Sequence, residues 1–193
     1  NGTLGVPRVK ELVDARRNIL SPSMSVFLSP PYNTEVDTVE AVKAQLVYTT
    51  LGDVVDHFDV IYEPDIHYTK NEQDLFLVEI ARHTIDTADF PGASDFIVRM
   101  ELDKKKLRLK NINMGQIRDT LRKFLGTSQH FILQASESNA ASWIIRVRMV
   151  MDTGDGPSAL DHEVNAGFCT HLQKHVVLCG IKGITAAALG QQL

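Results

Sequence analysis

Over residues 95–193 the spacing of apolar side chains switches between a period of two and a period of three to four, in the order strand, helix, strand, strand, helix, strand. Phe96–Leu102 reads as a strand. Asn113-Met114-Gly115-Gln116 has the form of a helix N-cap, with a glutamine at the third helical position that can reach back to the cap amide. Met114, Ile117, Leu121 and Phe124 then fall on one face, and Gly126 sits where a helix C′ residue is needed. His130–Ala135 and Ser142–Val150 read as strands joined by the polar turn Ser136–Ala141. In the second of them Trp143, Ile145 and Val147 alternate with Ile144, Arg146 and Arg148, a largely buried strand with a basic edge. Ser158 can cap a helix to about Lys174 with Leu160, Val164, Phe168 and Leu172 on its stripe, and Ile184–Leu189 closes as a last short strand. This β-α-β-β-α-β order is that of a ferredoxin-like sandwich, so the fold class is α+β.

The residues before this unit are less regular. Pro7 suits the first position of a helix carrying Val6, Val9, Leu12 and Val13 on one side. Ser23–Leu28 reads as a strand closed by Pro30-Pro31, and Thr34-Glu35-Val36-Asp37 as a capping pattern for a helix to about Tyr48, with Val36, Val39, Val42 and Leu46 as its buried stripe. Val54–Tyr62 and Leu75–Arg82 read as strands, and Phe90-Pro91-Gly92-Ala93-Ser94 is the best internal break. The expected organisation is a helix and strand over 1–30, an acidic α/β segment over 31–94 and the ferredoxin-like unit over 95–193.

The net charge of −4 argues against a generic nucleic-acid binder of high pI, but it hides a strong asymmetry. Residues 31–95 hold three Lys/Arg and fourteen Asp/Glu, whereas residues 96–126 hold nine and three. Lys104, Lys105, Lys106, Arg108 and Lys110 place five cations in seven residues, and Arg118, Arg122 and Lys123 extend them along the polar face of the next helix. Cations at this density neutralise phosphates without reading bases. The same residues equally suit contact with another subunit, a solvated face, or pairing with the chain's own acidic half. The acidic stretch Asp53–Asp95 reads as a solvated face before it reads as a dock for a basic partner.

Catalytic and metal signals are weak. Cys169 and Cys179 are the two cysteines, as expected of a reducing compartment, and with His162 and His171 they lack the paired spacing of a zinc site. Met149-Val150-Met151-Asp152-Thr153-Gly154 matches the run before an aspartic-protease Asp-Thr-Gly, but Asp155-Gly156-Pro157 marks it as a turn. Gly154-Asp155-Gly156 and Gly180-Ile181-Lys182-Gly183 complete neither a dinucleotide nor a P-loop fingerprint. No apolar run approaches the roughly 20 residues of a membrane-spanning helix.

Leu4-Gly5-Val6-Pro7-Arg8-Val9-Lys10-Glu11-Leu12, with Ala15-Arg16-Arg17-Asn18 and Ser21-Pro22-Ser23-Met24-Ser25-Val26-Phe27-Leu28, resembles the largest subunit of multisubunit RNA polymerases just after the trigger loop. Tyr48–Val54, Ile61–Asp65, Arg99–Asp103, Asn113–Ile117, Ile144–Val150 and Leu178–Ile184 are similar in register to the jaw of the RNA polymerase II form, while Val13–Arg17 leans to the archaeal subunit. The resemblance implies an internal slice of a longer chain, consistent with Asn1 in place of an initiator Met. It also implies a nuclear jaw and cleft module that frames downstream DNA and meets the small zinc-bearing jaw subunit and elongation factors. The implied parent is a nucleotidyltransferase whose magnesium and zinc are bound elsewhere: its Asn-Ala-Asp-Phe-Asp-Gly-Asp loop does not occur in these 193 residues, so no cofactor and no catalytic residue is expected here. The alternative reading is a free-standing ferredoxin-like module that binds protein or RNA.

Overall fold

The computed structural model describes residues 9, 13, 14, 24–126, 131–150 and 160–190, in two compact units, 1–39 and 40–193. The elements are α1 (Val36–Leu46), β1 (Thr49–Thr50), α2 (Leu51–Val54), β2 (Val55–Tyr62), α3 (Leu75–Thr84), β3 (Ala93–Leu102), α4 (Lys104–Leu109), α5 (Met114–Leu125), β4 (Phe131–Ala135), β5 (Trp143–Val150), α6 (Leu160–His175) and β6 (Val177–Cys179).

In the first unit, residues 24–29 take no strand pairing among the described residues, contrary to the strand expected over Ser23–Leu28, and Met24, Val26 and Phe27 are exposed. Tyr32 and Thr34 turn back onto Ser29 and Pro31. The Thr34 hydroxyl donates to the Pro31 carbonyl at 2.7 Å, so the expected capping residue is used by the turn before the helix. Val9 and Val13 have helical backbone but are exposed, and the rest of that first expected helix lies outside the described residues. The apolar stripe of α1 is likewise not buried: no residue of the helix is, and Val36 is 70% exposed.

In the second unit the order β2-β3-β5-β4 makes one four-stranded sheet, antiparallel throughout. This is the α+β, ferredoxin-like architecture, with one exchange of parts. The edge position beside β3 is filled by β2, from earlier in the chain, and Ile184–Leu189 forms no strand. The Phe90–Ser94 break thus runs into the start of β3, which pairs with β2 from His57↔Glu101 to Tyr62↔Phe96. After α6 the chain instead runs as β6 against β1, with Tyr48 N–H donating to Ile184 O at 2.9 Å. Gly180 makes this crossing possible: its φ is +96°, and a β-carbon there would stand 2.2 Å from the Val47 carbonyl oxygen.

One face of the sheet presents Val98, Met100 and Leu102 from β3 and Trp143, Ile145 and Val147 from β5, the alternation read from the sequence. They form one core with Leu51 and Val54 of α2, Leu107 of α4, Ile117 and Leu121 of α5, and Cys169 and Leu172 of α6. The Asn113–Gln116 capping box is present, both bonds at 2.9 Å, and Gly126 holds φ +79°. Phe124 is 39% exposed, its ring beside His171. Of the expected α6 stripe, Leu172 is fully buried and Phe168 packs against the core, whereas Val164 is 46% exposed; Asn165 and Cys169 are buried beside them, Asn165 Nδ2 reaching Ser94 Oγ at 3.4 Å. Ser158 lies outside the described residues.

Leu75–Arg82, expected as a strand, is a helix. Its buried residues are Leu77, Val78 and Ala81, a helical spacing, whereas Leu75, Phe76 and Ile80 are exposed. Asn71 accepts the Gln73 N–H at 3.1 Å and starts the turn at Glu72–Asp74 that leads into it, and Arg82 and His83 close it on the dipole-favoured side. Replacing Ile145, fully buried at the centre of the sheet, by Ala is expected to cost about 2–5 kcal/mol, while Val36→Ala stays within about 0.5 kcal/mol. Urea midpoints of the two variants check this.

Candidate nucleic-acid interface

The basic run is helical, which its composition did not announce. Asp103 is the N-cap of α4, its Oδ1 accepting the Lys105 and Lys106 amides at 2.8 and 3.1 Å. The Lys106 amide above all, then the Lys105 amide and the two ammonium groups, hold the Asp103 carboxyl below its ordinary value. Leu107 is fully buried and fastens α4 to the core, while Leu109 is 79% exposed among the cations. Lys110 ends the helix half-buried, and Asn111, at φ +54°, turns the chain so that Ile112 N–H returns to Leu107 O at 2.9 Å and α5 begins.

The eight expected cations separate into groups. Lys105, Lys106 and Arg108 are exposed on α4, and Arg118, Arg122 and Lys123 are exposed on α5, opposite Met114, Ile117 and Leu121. Lys106 Nζ stands 3.8 Å from Asp103 Oδ2. Lys104 is different: its ammonium donates to the Ala140 and Ala141 carbonyls and lies 5.6 Å above the Trp143 ring. It ties α4 to the β4–β5 turn, so its charge is spent on the fold.

The basic edge expected on β5 is also not an edge. Arg146 and Arg148 are 2% and 4% exposed, and Arg99 on β3 is 3% exposed. Arg99 Nε donates to both oxygens of Asp74, at 3.0 and 3.1 Å, and Nη2 to Gln73 Oε1 at 2.9 Å. Arg146 Nη2 bonds Glu63, whose other oxygen accepts the Thr69 hydroxyl at 2.7 Å, and Arg146 Nε lies 3.5 Å from Asp74. Glu63 and Asp74 belong to the acidic stretch read as solvated; these two carboxylates face inward and pair with strand arginines, not with the basic run. A signal existed in the alternation of Arg99 with Met100 and of Arg146 and Arg148 with Val147, which puts guanidiniums on a face that α3 covers.

The cysteines and histidines do not assemble. Among the described residues no three His, Cys, Asp or Glu side chains are placed to hold a metal ion. Burial pushes the Cys169 thiol up to about 11, the reverse of what a thiolate ligand requires, and Cys179 Sγ faces the Val47 carbonyl at 4.0 Å. His162 packs edge-on to Phe96, and His171 lies against His175. The Asp152-Thr153-Gly154 run lies outside the described residues. No helix among the described residues is long and apolar enough to cross a membrane.

A ferredoxin-like sheet with a helical basic ridge beside it is the setting in which the comparisons fall. Residues 49–178 match the family described as RNA polymerase Rpb1, domain 7, and the chain belongs to that family. Two proteins of Trypanosoma brucei brucei, named DNA-directed RNA polymerase II subunit RPB1-B and RPB1-A, are each 32% identical to it over 200 residues. The alignment takes in 98% of this chain and 11% of each relative, so the chain spans about a ninth of their length. The resemblance to the largest subunit of RNA polymerase II is thereby shown.

Asp74→Ala is expected to destabilise by about 3–5 kcal/mol, because it strands Arg99 in the interior without its carboxylate; chemical denaturation checks it. Asp103 gives a pH dependence of known sign. Its native pKa is lowered, so its contribution is complete above about pH 4, where an unfolded aspartate is ionised, and fades as pH falls through the native value. The stability gap between the chain and Asp103→Ala is therefore expected to be larger at pH 7 than at pH 2.5, as read from urea midpoints.

Proposed function

We propose that the chain acts as a non-catalytic jaw and cleft module of the largest subunit of a nuclear DNA-directed RNA polymerase II, where it lines the path of downstream DNA and docks neighbouring subunits and elongation factors. The observation that carries the DNA part is the ridge of α4 and α5. Six exposed cations sit on two short helices whose opposite sides are anchored by Leu107, Met114, Ile117 and Leu121. Held on rigid helices, the cations meet a phosphate backbone with no further ordering of the main chain, so that only side-chain rotamers have to be fixed. No base-reading geometry is required, which suits a duplex that must slide past. The small zinc-bearing subunit of the family's jaw is the neighbour this reading assigns, and the parent's magnesium and zinc sites fall outside this segment.

The reading also says which lysine to leave out. Lys105→Glu, Lys106→Glu and Arg108→Glu together are expected to weaken duplex binding and to reduce the slope of log affinity against log salt by roughly 2–3, at about 0.9 per phosphate contact. Filter binding of the 193-residue chain between 50 and 200 mM salt measures it. Lys104→Glu is expected to act on stability instead, through the lost Ala140, Ala141 and Trp143 contacts. An unchanged salt slope in the triple variant excludes phosphate contact at α4.

A further inference from the structure

The buried ion network on the α3 side of the sheet is unevenly paired. Three guanidiniums, Arg99, Arg146 and Arg148, face two buried carboxylates, Glu63 and Asp74. Glu101 reaches Arg99 at 3.6 Å, but from a side chain one-third exposed. Arg148 has no carboxylate in contact among the described residues; its Nη1 donates to the Ser94 carbonyl. Arg146 Nη1 and Nε are buried without a hydrogen-bond partner. Between these groups lies a cavity of about 10 Å³, lined by Ile66, Ile97, Ile132, Gln134, Arg146 and Arg148. That is room for one particle of about the size of a water molecule.

We propose that this cavity is a binding site for a single small monovalent anion of the halide class, chloride under ordinary conditions, held by Arg146 Nη1 together with Arg148 and Gln134. The lining chemistry decides between an ion and water. Guanidiniums only donate, so of the polar side chains around the cavity the amide of Gln134 alone has an oxygen to accept a hydrogen from a water molecule. A halide accepts from all three and places a negative charge beside Arg148, the guanidinium with no carboxylate in contact among the described residues. The halide is appreciably larger than water, so Gln134, half-buried on the edge strand β4, is the lining side chain that must move aside to admit it. Burial first, and Arg146 second, draw the Arg148 guanidinium down to about 10, against the opposing pull of Glu63, Asp95 and Asp65. A buried cation so placed gains most from an anion in contact.

The test uses the 193-residue chain in two experiments. Its melting temperature is measured in sodium chloride and in sodium gluconate at constant ionic strength, gluconate being too large for the cavity. A saturable rise of roughly 3–5 °C, chloride over gluconate, is expected by the time chloride reaches about ten times its dissociation constant. Gln134→Leu, which keeps both arginines and removes an anion donor, is expected to reduce that rise. Crystals grown in bromide are expected to show one anomalous peak within hydrogen-bonding distance of Arg146 Nη1, a measurement that does not depend on any variant folding. Equal melting in the two salts, or density for a water molecule and no bromide in the cavity, overturns the proposal.

Discussion

Glu63 and Asp74 allow Arg99 and Arg146 to occupy the covered face of a β-sheet. An unpaired guanidinium buried at the centre of a strand costs several kcal/mol, more than a fully buried Ile or Leu returns. The two carboxylates offset that cost only because the chain between β2 and β3 brings them back over the sheet. Glu63 follows directly on β2, held by Thr69, and Asp74 ends the turn that opens α3. Remove this segment and Arg99 and Arg146 lose every carboxylate within the buried face. The sheet's central pair, β3 and β5, therefore depends on a stretch that forms no part of its hydrophobic core.

The opposite face is built on other physics. There the strands present apolar side chains, Val, Ile, Leu, Met and Trp with Phe131 and Ala135 of β4, and α2, α4, α5 and α6 close over them without a buried charge among the cluster's side chains. Its outer border is where the cations of α4 and α5 stand free. The chain thus holds two populations of basic residues that composition cannot separate. Arg99, Arg146 and Arg148 are internal and serve cohesion. Lys105, Lys106, Arg108, Arg118, Arg122 and Lys123 are external and available to phosphate or protein. Lys104, within the basic run by sequence, is bound to the β4–β5 turn.

Several parts of this were readable before any coordinates. The Asn113–Gln116 box and Gly126 bound α5 correctly because capping is a local matter, decided within four residues. The alternation in β5 and its antiparallel neighbours was readable because a strand exposes its period directly. Leu75–Arg82 misled because Leu, Phe, Leu, Val and Ile in close succession suit a buried strand as well as a helix, and only the partner surface chose. The α4 helix carries its local signal in Asp103, a sound N-cap ahead of Lys104-Lys105-Lys106, but five cations in seven residues leave Leu107 and Leu109 too few to form the apolar stripe that marks a helix.

The sequence alone determined the local elements with strong caps, the apolar inner face of the sheet, the separation of acidic and basic stretches and, through its family resemblance, the kinship with the largest subunit of RNA polymerase II. Only the tertiary structure decided which charges meet. Glu63 and Arg146 are 83 residues apart, and no local pattern links them. Likewise, the edge strand beside β3 is β2 and not a strand from the C-terminal end. Pairing in a sheet is settled by which distant segment best covers two hydrogen-bonding edges and the buried charges between them. That is a property of the folded whole.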